Sequence, residues 1–336
     1  MQRQDGVLPP GSRVAQRYGL ERILGGGAMS TVYEARDVSG SLVALKTLSV
    51  PAGSADAEER RARFLRETRL AQTLEHPHVV PVIDHGIDPA TGVLYLVMPL
   101  LKGEDMAALL ERVDAVEPEV AVALFVQACQ GLGAAHARGI VHRDVKPSNL
   151  FLEARGDQVV VRVTDFGLAK SHDHPAVGPG SMPHALTATG RFMGTPQYVS
   201  PEQAVSAKHV DERSDVFGLA MSMYHALSGA PAFAYVRSFM GLVLEITSRE
   251  APHIQDAAPW VPPEIARVVH AALLRERSAR CPTVAELALA LDTATGIDVS
   301  RRTVTLESCR PASATLRKVR APRTDLAPSW NDVLRG

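Results

Sequence analysis

HRDVKPSNL, residues 142–150, packs Arg143, Asp144, Lys146 and Asn149 into one short stretch just past Gly139. That density of charge beside the apolar Leu150 and Phe151 is unusual for a plain turn. Shortly after it, VRVTDFGLAK (161–170) places Asp165 behind a strand-like run and ahead of a glycine hinge at Gly167. Two carboxylates and an amide at strand–loop junctions suit magnesium and phosphate, with Asp144 positioned to orient a hydroxyl.

Upstream, LGGGAMSTVYEA (24–35) has the look of a phosphate-cradling glycine loop, with Ser30 where a third glycine is usual. Gly25 to Gly27 let backbone amides approach anionic oxygens without Cβ obstruction. A plain Gly-rich hairpin would read the same way. A dinucleotide fold needs strand, glycine turn, helix and then an acidic residue. Here a second strand, STVYEARD, follows the glycines, and Lys46 in VALK stands where the acid should be. Glu67 lies on the same helical stripe as Phe64, Ala71 and Leu74. A carboxylate on an apolar face needs a partner, and Lys46 is a candidate.

Outward from these motifs the pattern divides the chain in two. RYGLERIL, STVYEARD and SLVALKTLSV read as three antiparallel strands, followed by a helix over 55–74 and two strand-like runs, VVPVIDHG and VLYLVMPLL. Past Gly103 the texture turns helical. One helix runs from Pro118 to a stop at Gly139, and a nearly all-apolar one over 215–229 reads as buried, with Ser214 or Asp215 as its N-cap and Gly229 as its C-cap. Two more are expected from Pro262 and from Thr283. Residues 1–17 read as a flexible leader and 294–336 as a basic, poorly ordered tail.

Composition narrows the function classes. Lys and Arg total 36 against 37 Asp and Glu, which gives no case for a nucleic-acid partner. Cys129, Cys281 and Cys309 form no CxxC pair, so neither a disulfide framework nor a zinc site is expected. No uncharged apolar run reaches transmembrane length. A cytoplasmic location is the expectation.

Taken in order, GGGAMSTV, VALK, the helix glutamate, HRDVKPSN, DFG, GTPQYVSPE and the buried helix opening near Asp215 resemble a eukaryotic-type serine/threonine protein kinase of the kind found in bacteria. The resemblance covers about residues 18–293. It implies an α+β bilobal fold: a small β-rich N-lobe, 18–101, and a larger, mainly helical C-lobe, 103–293. Protein kinases are a standard worked case of this chemistry, so the roles that follow are carried over from the family. Lys46, held by Glu67, would orient the α- and β-phosphates of ATP, and Asn149 and Asp165 would hold Mg2+. Asp144 would accept the substrate hydroxyl's proton, and Lys146 would neutralise charge on the transferred group. Leu24, Gly25, Gly26, Gly27, Ala28, Met29, Ser30, Val32 and Ala44 would surround the nucleotide. Met98 would be the gatekeeper, with the Pro99 carbonyl and Leu101 amide meeting adenine. Proline at 99 lacks an N–H, but only a carbonyl is asked of that position.

The chain departs from the family pattern at Ser30, at Ser200 in SPE and at Ala220 in DVFGLA. Ser30 is accommodated if its φ is negative. A catalytically weak, nucleotide-binding scaffold is the alternative reading. Arg143 would pair with a phosphorylated activation segment, with Thr187 or Thr189 as autophosphorylation sites and Thr195 bracing the catalytic loop. Glu202 and Arg280 would form a structural ion pair. His172, His174 and His184 read as solvated residues. Expected partners are protein substrates, a second copy for trans-autophosphorylation, and a partner or membrane surface for the basic tail.

Overall fold

The computed structural model describes residues 7–26, 30–49, 57–166, 196–205, 210–296, 303–309, 321, 323–326 and 329–334. It divides into two compact units, Met1–Lys102 and Gly103–Gly336.

The first unit is built on a six-stranded sheet. Its strands are β1 (Arg13–Val14), β2 (Tyr18–Gly26), β3 (Ser30–Arg36), β4 (Leu42–Leu48), β5 (Asp84–Ile87) and β6 (Leu94–Pro99), in the order β1-β2-β3-β4-β6-β5. Alternation sorts the two faces. Tyr33, Ala35, Val43, Leu45 and Val97 turn to one side and form a core with Val14, Tyr18, Leu20 and Tyr95. Helix α1 (Ala57–Gln72) buries Phe64, Thr68 and Ala71, the stripe its sequence announces.

The flexible leader is one correction, over its described part, residues 7–17. Arg13 and Val14 pair with Gly19 and Tyr18, and Val14 is fully buried. The turn between them is tied down by buried Asp88, whose carboxylate accepts the Ala15 amide at 2.9 Å. VVPVIDHG is a second: only its last three residues, from Asp84, are in the strand, which runs on to Ile87.

The second unit is helical around a three-stranded sheet, β7 (Gly103–Asp105), β8 (Leu150–Arg155) and β9 (Gln158–Val163). Gly103 at its start has φ +140°, and a Cβ there would lie 2.0 Å from the Leu152 carbonyl oxygen, so only glycine fits. Helices α2 (Met106–Val113), α3 (Pro118–His136), α4 (Pro201–Val205), α5 (Glu212–Ser228), α6 (Phe239–Ser248), α7 (Ile254–Ala257), α8 (Pro263–Ala272) and α9 (Val284–Thr295) follow in order. By length and composition α3 could cross a membrane, but it packs against α5, α9 and β9, and most of its side chains are buried. It is the core helix of this unit.

At α5 the C-cap agrees with the sequence and the N-cap differs. Thr283 accepts the Glu286 amide at the start of α9, and Gly229 closes α5 in the left-handed conformation. The N-cap of α5 is Asp211, which accepts from the Arg213 amide; neither Ser214 nor Asp215 has that role. Asp215 is used elsewhere, as shown below. The described parts of 294–336 also depart from a poorly ordered tail. Val304, Cys309 and Trp330 are buried, the last in a short helix α10 (Trp330–Val333).

Candidate functional site

Register fixes which first-unit side chains share a surface. Lys46 stands opposite Val32 on β3 and Leu96 on β6, and Ala44 opposite Met98, so Val32, Ala44, Lys46 and Met98 line one face of the sheet. It is the face opposite the Tyr33–Leu45 core. Gly25 pairs with Val32 at the end of β2, where Leu24, Gly25 and Gly26 are exposed. Ser30 opens β3 opposite Leu48 and is not among the residues with positive φ. Serine is therefore unstrained there, the condition its accommodation required. Pro99 ends β6 opposite Val43, and Leu101 follows it, half-buried. Lys46 and Glu67 are each engaged by neighbouring groups. Gly27, Ala28 and Met29 lie outside the described residues.

In the second unit the stretch 142–150 is held from three sides. Buried Asp215 accepts the His142 amide (2.7 Å) with Oδ2, the Arg143 amide (2.7 Å) with Oδ1, and shares Oδ2 with His136 Nε2 at 2.8 Å. A carboxylate inside an apolar helix needs such partners. The His142 ring, fully buried, accepts the Asp144 amide at Nδ1 (3.2 Å), which leaves Nε2–H to donate to the Thr164 carbonyl at 2.7 Å. It also packs at 4.9 Å against the Phe166 ring. On the third side, Gln203 of α4 donates from Nε2 to the Arg143 carbonyl at 2.8 Å.

This clamping sustains two uncommon backbone conformations, φ +62° at Arg143 and φ +59° at Asp165. Left-handed non-glycine residues cost about 1–3 kcal/mol and persist only where the surroundings over-determine them. The consequence is a fixed carboxylate. Asp144 Oδ2 lies 3.0 Å from Lys146 Nζ and 3.2 Å from Asn149 Nδ2. Asn149, itself buried, also donates to the Asp144 carbonyl at 2.8 Å, and its own carbonyl accepts the Thr164 amide at 3.0 Å. Asn149 and the Asp165 backbone are thereby tied together.

The donor set suits a hard cation. Asn149 has committed its NH2 to Asp144, which turns its amide oxygen, the harder donor, to a different use. Among the described residues no three His, Cys, Asp or Glu side chains form a metal cluster. A cation here would rest on two protein oxygens and complete its shell from phosphate and water, as magnesium does.

Ser200 and Glu202 explain themselves structurally. Ser200, fully buried, donates from both N and Oγ to Gln203 Oε1, which orients the amide that holds Arg143. Alanine could not make the second bond. Glu202 meets Arg280 in a two-pronged pair at 2.8 and 3.0 Å. Burial alone would raise the Glu202 pKa, but the Arg280 hydrogen bond and charge outweigh it and hold the carboxyl below its ordinary value. Thr187, Thr189, Thr195 and the three loop histidines lie outside the described residues. Sequence reading missed Gln203 and the use of Asp215. The available signal was a carboxylate at position 215 in an otherwise apolar run.

The protein kinase domain model matches residues 18–288. The kinase pkn3 of Myxococcus xanthus is 32% identical over 96% of this chain and 57% of its own length. The DNA damage-responsive kinase RqkA of Deinococcus radiodurans is 37% identical over 82% of this chain and 39% of its own. The chain thus spans about half the length of the curated relatives it matches. The crystal structure of the Mycobacterium tuberculosis PknI kinase domain is 30% identical, covers 87% of this chain and all of that one, and superposes with a TM-score of 0.64. With an HRDVKPSN loop clamped on Asp215, Thr164 just ahead of Asp165 tied to Asn149 and this span of matching sequence, the chain belongs to the protein kinase family, alongside the bacterial serine/threonine kinases.

Proposed function

We propose that the chain transfers the γ-phosphoryl group of ATP to serine or threonine hydroxyls of protein substrates. The observation that carries this reading is Asp144, a carboxylate held between Lys146 and Asn149 on a loop whose backbone is pinned to Asp215. Phosphoryl transfer needs positioning and electrostatic help more than covalent chemistry. The Asp144 carboxylate accepts and orients the substrate hydroxyl, taking its proton as the new P–O bond forms and the bond from the γ-phosphorus to the bridging β-phosphate oxygen breaks to release ADP. Lys146, 3.0 Å away, supplies positive charge to the transferred group.

Asn149 and Asp165 would hold Mg2+, which when bound neutralises and aligns phosphate oxygens. In the first unit, Lys46, braced by Glu67, engages the α- and β-phosphates. Leu24, Gly25, Gly26, Val32 and Ala44 cover the nucleotide, and Met98, Pro99 and Leu101 meet the base.

Autophosphorylation at Thr187 or Thr189, between two copies of the chain, would supply a phosphate for Arg143 and order the segment. The setting is the cytoplasm. Contact of the basic tail with a partner or membrane surface is part of the same proposal; Arg323 is paired with Asp256, and Arg301, Arg302, Arg310, Arg317, Lys318, Arg320 and Arg335 lie outside the described residues.

The test is incubation with labelled ATP and magnesium beside Asp144→Asn, following phosphate into the chain and into a generic basic protein. Incorporation by the parent alone is the expected result. None by either, with ATP still bound, refutes the reading in favour of a scaffold. Mass spectrometry of the active protein reads the phosphosites; full activity with Thr187 and Thr189 both unmodified would remove that part.

A further inference from the structure

The segment beyond α9 returns to the C-lobe at three places. Val304 accepts the Val159 amide (2.8 Å) and Leu306 donates to the Asp157 carbonyl (3.1 Å), so this stretch pairs with the edge of β9. Thr324 sits in a buried polar clasp: its amide donates to Gln255 Oε1 at 3.0 Å and its carbonyl accepts from His253 Nε2 at 3.0 Å. Ala321 donates to the Pro259 carbonyl at 2.7 Å. Trp330, 3% exposed, is the third anchor. Its indole N–H donates to Glu286 Oε2 at 3.0 Å and its backbone amide to the Ala279 carbonyl at 2.8 Å.

The third anchor lands on a hub. Arg280, the next residue after Ala279, is 1% exposed and spends its guanidinium on the Leu274, Arg275 and Arg213 carbonyls as well as on Glu202. Trp330 therefore fastens the loop that aims Arg280. Glu202 is followed by Gln203, whose amide holds the Arg143 carbonyl, one residue before Asp144. Every link in this path, from Trp330 to Asp144, is a hydrogen bond, an ion pair or a single peptide bond within one compact unit.

We propose that Trp330 is a positioning residue: by docking on Ala279 and Glu286 it holds Arg280 on Glu202, and so holds the α4 segment and the catalytic loop in register. The tail is in this respect a working part of the C-lobe. Its consequence for turnover rests on the kinase reading above; its consequence for backbone order does not.

The experiment uses the whole chain carrying Trp330→Ala, with hydrogen exchange mapped by mass spectrometry and peptide phosphorylation measured in parallel. Faster exchange is expected at 200–205 and at 142–145 as well as around 279–286. Peptide KM should rise about three- to tenfold while the KM for ATP stays within twofold. Trp330→Phe keeps the aromatic body and loses the donor to Glu286; it should show the same pattern at reduced size, and it carries both readouts if Trp330→Ala does not fold. Faster exchange confined to 279–286 and 321–334, with unchanged peptide KM, overturns the proposal and leaves Trp330 as packing only. If the parent chain phosphorylates nothing, the exchange pattern at 200–205 still decides whether the coupling exists, and the kinase reading fails separately.

Discussion

Replacing Asp215 by asparagine isolates what the buried helix does for the catalytic loop. The carboxylate accepts two backbone amides at 2.7 Å and one imidazole N–H at 2.8 Å, with 1% of the residue exposed. Hydrogen bonds to a charged group contribute about 1.5–3 kcal/mol each, and a buried donor left unpaired costs about 1–3 kcal/mol. Asparagine retains one acceptor oxygen and turns an NH2 toward the other amide. The expected loss of stability is about 2–4 kcal/mol, large against a whole-domain stability of about 5–15 kcal/mol. The loop also loses what sustains φ +62° at Arg143. Relaxation there moves Asp144, and at a tenfold rate change per roughly 1.4 kcal/mol, kcat should fall by about a hundredfold or more. Urea midpoints and initial rates at saturating ATP and peptide read both effects. Asp211→Asn, at the N-cap of the same helix, is the control: about 1 kcal/mol or less of stability and no change in kcat. If Asp215→Asn keeps kcat within threefold and stability within about 0.5 kcal/mol, the pinning argument is wrong.

Three further outcomes follow from the same geometry. Gly218→Ala adds a Cβ 2.7 Å from the Val145 carbonyl oxygen and 3.4 Å from that of Tyr198, so one methyl wedges α5 away from both the catalytic loop and the Pro196–Tyr198 turn; a drop of about 1–3 kcal/mol in urea stability and a lowered kcat are expected, and wild-type values for both would contradict the contact. His225 is held near pKa 4 and His270 near 3, in each case mainly by burial, against about 6.5 in the unfolded chain. Both are neutral when folded, so the unfolded state binds more protons below pH 6.5, and stability should fall as pH drops from 6.5 toward 4; a flat urea midpoint between pH 7 and pH 5 would refute this. Ser200→Ala removes one bond to Gln203 Oε1 and frees the amide that grips Arg143. A loss of about 1 kcal/mol with a raised peptide KM is expected, and unchanged steady-state kinetics would assign Ser200 to packing alone.

Much of this protein is written locally in its sequence. Glycines 25 and 26 between two strand patterns, the Phe64–Ala71 stripe of α1, the helix start at Thr283 and the Gly229 stop each depend on neighbours within a few residues. The candidate site was legible for the same reason. Asp144, Lys146 and Asn149 fall within six consecutive residues, so the chain itself keeps them close together.

What spacing could not give was the support. Asp215 reads as a cap because a carboxylate near a helix start has a local use. Only when α5 is buried beside residues 142 and 143 do their unpaired amides become the better partners. Gln203 looks like any polar helix residue until the fold brings it to the Arg143 carbonyl. The described parts of the leader and the tail were misjudged in the same way. Polar, proline-rich segments show no periodicity that announces burial, and Val14 (in a core with Leu45 and Val97), Thr324 and Trp330 find their sites on surfaces made by residues far away in the chain. Local pattern set the elements and the reactive groups, whereas long-range complementarity, which exists only after packing, decided what holds those groups in place.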